Sequence, residues 1–150
     1  VGWASISSRL AVGKDARSFG YGGTAMKASG GKFEPYGENF EGRPGAVIGC
    51  LIDRRNPQWQ SISFSLDGRN LGVAFSIAEE LADVPLFPVV CGRGGWRARC
   101  RSAQLAFPEP GHRPLAEALA EGEAVAGPAG ILEPPTGRPI GDDRSAVQPG

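Results

Sequence analysis

The sequence predicts an all-β fold, an antiparallel β-sandwich, followed by a Pro/Gly-rich tail with at most one short helix. Three observations carry that prediction. Residues 61–66 alternate cleanly, with Ile62, Phe64 and Leu66 on one face and Ser61, Ser63 and Ser65 on the other, the period-two pattern of a half-buried strand. Asp67-Gly68 follows at once and is itself followed by a second apolar run, a strong hairpin signal. The run Phe19-Gly20-Tyr21-Gly22-Gly23-Thr24 alternates glycine with aromatic residues, which suits close-packed strands meeting a shaped loop.

The elements follow in order. Residues 1–5 form a short strand around Trp3, and residues 10–13 a second short apolar piece. Residues 14–17 are a polar turn. Residues 18–22 form a strand with both rings on one side, facing the core. Residues 24–40 show no clear period and read as a long ordered loop pinned by Phe33, Tyr36 and Phe40. Residues 47–53 are a buried strand and residues 54–57 a turn. After the 61–66 strand and its turn, residues 71–75 return, and residues 77–81 suit one helical turn. Residues 86–91 form a strand in which Pro88, lacking an N–H, belongs at an edge or a bulge. Residues 96–102 alternate again, and residues 105–107 end the domain. Many short strands with turn signals and little helix imply a sandwich.

Residues 108–150 belong to a different regime. Residues 115–126 have the Ala/Leu/Glu composition of a short helix, and from Pro128 onward the chain is Pro/Gly-rich and poor in apolar residues. This tail is expected to be mostly disordered. Net charge is zero, but residues 1–107 hold thirteen Lys and Arg against nine Asp and Glu, while residues 108–150 hold three against seven. A mildly basic domain thus precedes an acidic tail or linker.

Several function classes fall away. No apolar run approaches the ~20 residues of a membrane span. Cys50, Cys91 and Cys100 are widely spaced without a Cys-x-x-Cys pair, which suits free thiols in a reducing, intracellular setting rather than a zinc site. The glycines at 20–23 do not lead into a helix, as a phosphate cradle requires. Asp53 and Asp67 have no evident acid–base partner, and the lone His112 sits in a Pro/Gly stretch. No catalytic residue, metal, cofactor or small-molecule substrate is expected, so this chain itself is not read as an enzyme.

The ordered string Val1-Gly2-Trp3, Phe19-Gly20-Tyr21-Gly22-Gly23-Thr24, Lys27, Phe33 and Tyr36-Gly37-Glu38 resembles a SPRY domain. It continues in family order through Ile48-Gly49-Cys50, Asp53, Phe64 to Phe75 and Leu86-Phe87-Pro88, covering residues 1–107. The first block is most similar to the SPRY insert of a DEAD-box RNA helicase and to the SPRY domain of heterogeneous nuclear ribonucleoprotein U. SPRY domains carry strands before the Val-Gly-Trp element, so the resemblance implies an N-terminally truncated sandwich. It also implies a non-catalytic module that binds protein or RNA within an RNA-associated, nuclear or cytoplasmic protein. Two alternatives stand beside it: a fragment of an ATP-dependent DEAD-box helicase, and a protein-interaction SPRY domain with no RNA link. The chain holds neither a Walker Gly-x-x-x-x-Gly-Lys-Ser/Thr motif nor an Asp-Glu-Ala-Asp box.

Candidate partner-binding residues come from loops and charge. Arg97, Arg99 and Arg101 recur at period two, so on a strand their guanidiniums would line one face, with Arg93 joining from the preceding turn. Such a stripe suits phosphates or an acidic peptide. Tyr36 and Glu38, with Lys27 and Lys32 beside them, and Arg54 and Arg55 in the next turn complete the set. Trp59 and Trp96 lie near turns and suit either core or binding anchor.

Overall fold

A computed structural model describes residues 1–9, 11–92 and 94–120. Two antiparallel sheets hold every strand found among them. The larger sheet contains β1 (Gly2–Ala4), β2 (Ser18–Gly22), β3 (Thr24–Ser29), β4 (Lys32–Asn39) and β8 (Phe87–Val89), in the order β4-β3-β2-β1-β8. The smaller sheet contains β5 (Ile48–Asp53), β6 (Ser61–Leu66) and β7 (Arg69–Ser76), in the order β5-β6-β7. One 3-10 turn at Glu79–Leu81 follows β7, another spans Ser102–Gln104, and the described part of the tail forms one short helix, α1 (Leu115–Ala120).

Alternation builds the core. Ile62, Phe64 and Leu66 on β6 are buried, and so are Phe19 and Tyr21 on β2, Trp3 on β1, Ala74 on β7 and Leu81. The two sheets meet through rings. Phe19 packs on Phe75 at 5.3 Å, and Tyr21 contacts Tyr36, Phe40 and Phe64 at 5.4, 5.1 and 5.3 Å. Such tilted and edge-on contacts suit the charge distribution of the rings. The Asp67-Gly68 turn forms as expected, with φ values of 50° and 83° that match a type I′ hairpin. Pro88 lies on edge strand β8, where its missing N–H costs no ladder bond.

Two expectations are corrected. Residues 24–40 are not a loop but the hairpin β3–β4. Its turn is Gly30-Gly31, both at positive φ (60° and 75°), a pairing that glycine permits without steric cost. The period was hidden because β4 is an edge strand, exposed at most positions, and carries Pro35. Residues 96–101 are not a strand: they pair with neither sheet, so the three arginines have no pleat to align them. Residues 14–17 form the expected polar turn, and residues 11–13 before them are in no strand either. There the Asp15 carboxylate accepts the backbone N–H groups of Arg9 and Arg17 at 2.7 and 2.9 Å and the Ser8 hydroxyl at 3.0 Å.

Residues 105–120 return to the sandwich. The Phe107 ring lies over Gly68, and the Asn70 amide donates to Glu109 at 2.6 Å. Leu115 packs against the core cluster. The helix expected at 115–126 is seen as far as Ala120, and the expected disorder beyond Pro128 lies outside the described residues. Among the described residues no helix is long and apolar enough to cross a membrane.

Candidate functional site

The candidate residues divide into those the fold consumes and those it leaves open. Tyr36, on β4, donates its hydroxyl to Gly72 O at 2.6 Å on β7 and accepts the Phe64 N–H at 3.3 Å on β6. The phenol is thus a rivet between the sheets, and partial burial raises its pKa. Tyr21 does the same within its own sheet, donating to Glu38 O at 2.5 Å and accepting Glu38 N at 3.0 Å. Between these two tyrosine contacts sits Gly37, at φ 65°, where a Cβ would lie 2.8 Å from Leu71 Cδ1 and 2.9 Å from the Tyr21 hydroxyl. The Tyr-Gly-Glu motif is therefore an inter-sheet joint.

Lys27 is also consumed. Its ammonium crosses from β3 to donate to Ala74 O at 2.7 Å, pairs with Glu34 at 3.3 Å and lies 5.4 Å from the centre of the Phe75 ring. Glu38 is ion-paired with Arg69. Arg54 donates to the carbonyls of Val84 and Leu81, each at 2.9 Å, to that of Ala82, and to Gln60 Oε1 at 2.9 Å. Its fork clamps residues 81–84 to the turn before β6. Desolvation lowers its pKa, although a guanidinium keeps its charge. Arg55 grips Asp53 through Nε at 3.0 Å and Nη2 at 2.5 Å. Those bonds hold the Asp53 carboxyl down to about 2.

The open residues are Lys32, Arg97, Arg99 and Arg101, all exposed. Lys32 rims a small hollow of about 190 Å³ with Lys27, Ser29, Glu34 and Phe75. Arg97 and Arg99 line a wider, open hollow of about 450 Å³ with Ala98, Ala103 and Gln104. Among the described residues neither guanidinium is ion-paired. Arg101 lies beside Glu117 of α1 and helps to lower its pKa, after the hydrogen bonds from Ser102. Arg93 lies outside the described residues.

Sequence reasoning left Trp59 and Trp96 undecided, and the structure exposes both, at 79 % and 65 %. Phe33 is also exposed, with the Lys14 ammonium 5.0 Å from its ring centre. The thiol of Cys50 is pushed up to about 11 by burial, while Cys91 and Cys100 are exposed. No grouping of His, Cys, Asp and Glu suited to a metal ion occurs among the described residues. What the sequence did not disclose is the Glu117–Ser102 clasp. Glu117 accepts the Ser102 N–H at 2.9 Å and its hydroxyl at 2.8 Å, while Ala116 N donates to Cys100 O at 3.1 Å. Nothing in the local pattern signals it, because its partners are fifteen residues apart.

Comparison with known proteins agrees with this geometry. The SPRY domain family model matches residues 1–104. The chain belongs to the SPRY family. It is 42 % identical over 90 residues to the ATP-dependent RNA helicase Ddx1 of Drosophila melanogaster, covering 60 % of this chain and 12 % of the helicase. It is 37 % identical over 87 residues to the ATP-dependent RNA helicase DDX1 of Xenopus laevis, covering 58 % and 11 %. It is 41 % identical over 93 residues to the human heterogeneous nuclear ribonucleoprotein U-like protein 2, covering 61 % and 12 %. The chain thus matches about an eighth of the length of these relatives. SPRY domains are non-catalytic modules of protein interaction, and the helicase match covers only that module.

Proposed function

We propose that this SPRY domain is a docking module of an RNA-associated protein, and that it holds an acidic peptide segment of a partner in the hollow lined by Arg97 and Arg99. The observation that carries this reading is the contrast in commitment. Lys27, Arg54 and Arg55 are spent on internal partners, whereas Arg97 and Arg99 face an open hollow without a carboxylate. Guanidiniums in that state suit bidentate capture of carboxylates. Residues 1–107 are the docking unit in this reading and residues 108–150 its acidic extension, in keeping with the family match over residues 1–104. An intracellular, RNA-associated parent is supported by the helicase and ribonucleoprotein-like relatives.

Fluorescence anisotropy with a labelled Asp/Glu-rich 12-residue peptide tests the reading. The expected result is binding that weakens with salt and falls at least tenfold in the Arg97→Ala/Arg99→Ala variant. Equal affinity of variant and parent would overturn it. A single-stranded RNA 20-mer, run in parallel, tests the nucleic-acid reading of the same arginines. RNA binding with a steep salt dependence, and none to the peptide, would transfer the hollow to RNA.

A further inference from the structure

We infer that Ser102 is a phosphorylation site for a protein kinase directed by basic residues, and that its phosphate releases α1 from the arginine segment. This inference does not rest on the peptide reading, although it draws on the same Arg97 and Arg99.

The sequence supplies the recognition element. Arg97, Arg99 and Arg101 lie five, three and one residues before Ser102. Of all serines and threonines in the chain, Ser102 alone has arginines both three and five residues before it. A kinase whose peptide groove carries carboxylates reads such spacing through charge-assisted bonds to guanidinium forks. The structure supplies access. Ser102 is exposed, and the segment before it pairs with neither sheet. Arg101 is already extended, at φ −124° and ψ 145°. The 3-10 turn Ser102–Gln104 must open, which breaks the bonds from Gln104 N to Arg101 O and from Leu105 N to Ser102 O, and the clasp must let go of Ser102 and of Cys100 O.

The chemistry balances with ATP as phosphoryl donor. The Ser102 Oγ attacks the γ-phosphorus, the new O–P bond forms, and the bond to the β–γ bridging oxygen breaks. ADP leaves, and the hydroxyl proton passes to the catalytic base of the kinase.

The consequence follows from what the hydroxyl does now. It donates to Glu117 Oε2 at 2.8 Å. A phosphorylated Oγ has no proton to donate, and the group carries about −1.5 to −2 charges at pH 7. Two anions then occupy one clasp. Glu117 is expelled, and the phosphate turns to Arg97, Arg99 and Arg101. With the clasp open, the bond from Ala116 N to Cys100 O loses its support, and α1 parts from the arginine segment while Leu115 keeps its place against the core cluster.

The test uses the full chain, ATP and a serine/threonine kinase selective for arginine three and five residues before its target. Mass spectrometry should place phosphate on Ser102, and Arg97→Ala/Arg99→Ala should slow the initial rate at least tenfold. Hydrogen exchange at the amides of residues 116–118 should accelerate at least tenfold on phosphorylation. In Glu117→Gln, which removes the repelling charge, that acceleration should fall below threefold. If the isolated peptide 95–106 is labelled but the folded chain is not, or if neither is, the site is refuted. Phosphate on Ser102 with unchanged exchange at 116–118 refutes the release.

Discussion

The tyrosine joint around β2, β4 and β6 and the arginine segment at 96–104 are both conspicuous in the sequence, yet the structure treats them oppositely. At the joint both phenols and the Glu38 carboxylate have internal partners. Tyr36 ties β4 to β6 and β7, Tyr21 ties β2 to β4, and Glu38 pairs with Arg69. In the arginine segment the backbone joins no sheet, and Arg97 and Arg99 turn to an open hollow. The lesson is that a binding surface lies where polar groups are left over, not where the family motif is densest. The joint holds the sandwich, and the arginine segment is what the sandwich presents.

That comparison predicts a graded set of stability effects. The largest belongs to the joint's apolar centre. Phe64 is fully buried and touches both tyrosine rings, so Phe64→Ala should cost ~3–5 kcal/mol in urea unfolding. A loss below 1 kcal/mol would mean that the joint does not hold the sheets. Next comes Tyr36→Phe, which keeps the ring, leaves the exposed Gly72 O to water and takes a partner from Phe64 N. A cost of ~0.5–1.5 kcal/mol is expected, and no change would reduce the hydroxyl's bridge to an incidental contact. Arg97→Ala/Arg99→Ala should shift stability by no more than ~0.5 kcal/mol per site, as for substitutions on an open surface. A larger cost in the same titration would show that these arginines are structural, and the contrast between the two regions would collapse.

How much of this was legible follows the range of the interactions. The alternation of residues 61–66 and the Asp67-Gly68 turn are local, and both read correctly because side-chain direction and turn geometry depend on neighbours in sequence. The β3–β4 hairpin was missed because β4 faces solvent along much of its length, so no apolar period marks it; Gly30-Gly31 was the available sign. The candidate site suffered most. Lys27 meets Ala74 across 47 residues and Arg54 meets Val84 across 30. A cation's partner at such separations is set by tertiary packing. Residue type alone therefore made Lys27, Arg54 and Arg97 look alike.

The smallest effect concerns a basic residue that is exposed yet already partnered. Arg55 holds the Asp53 carboxyl at about 2, below its value of about 3.9 in an unfolded chain. A carboxylate whose pKa falls on folding favours the folded state when ionised. Its contribution is complete above the unfolded value and is lost as pH drops toward 2. The Arg55 side chain is 75 % exposed, so solvent screening keeps the net gain small. Asp53→Asn should therefore cost a little stability at pH 7 and leave the acid side of the stability profile slightly flatter, the variant and parent converging as pH falls from 4 to 2, as followed by urea midpoints. An unaltered slope would mean that the pair contributes nothing to folding. Arg55 would then join Arg97 and Arg99 as a cation available to a partner, and the line between consumed and presented arginines would have to be drawn at burial rather than at pairing.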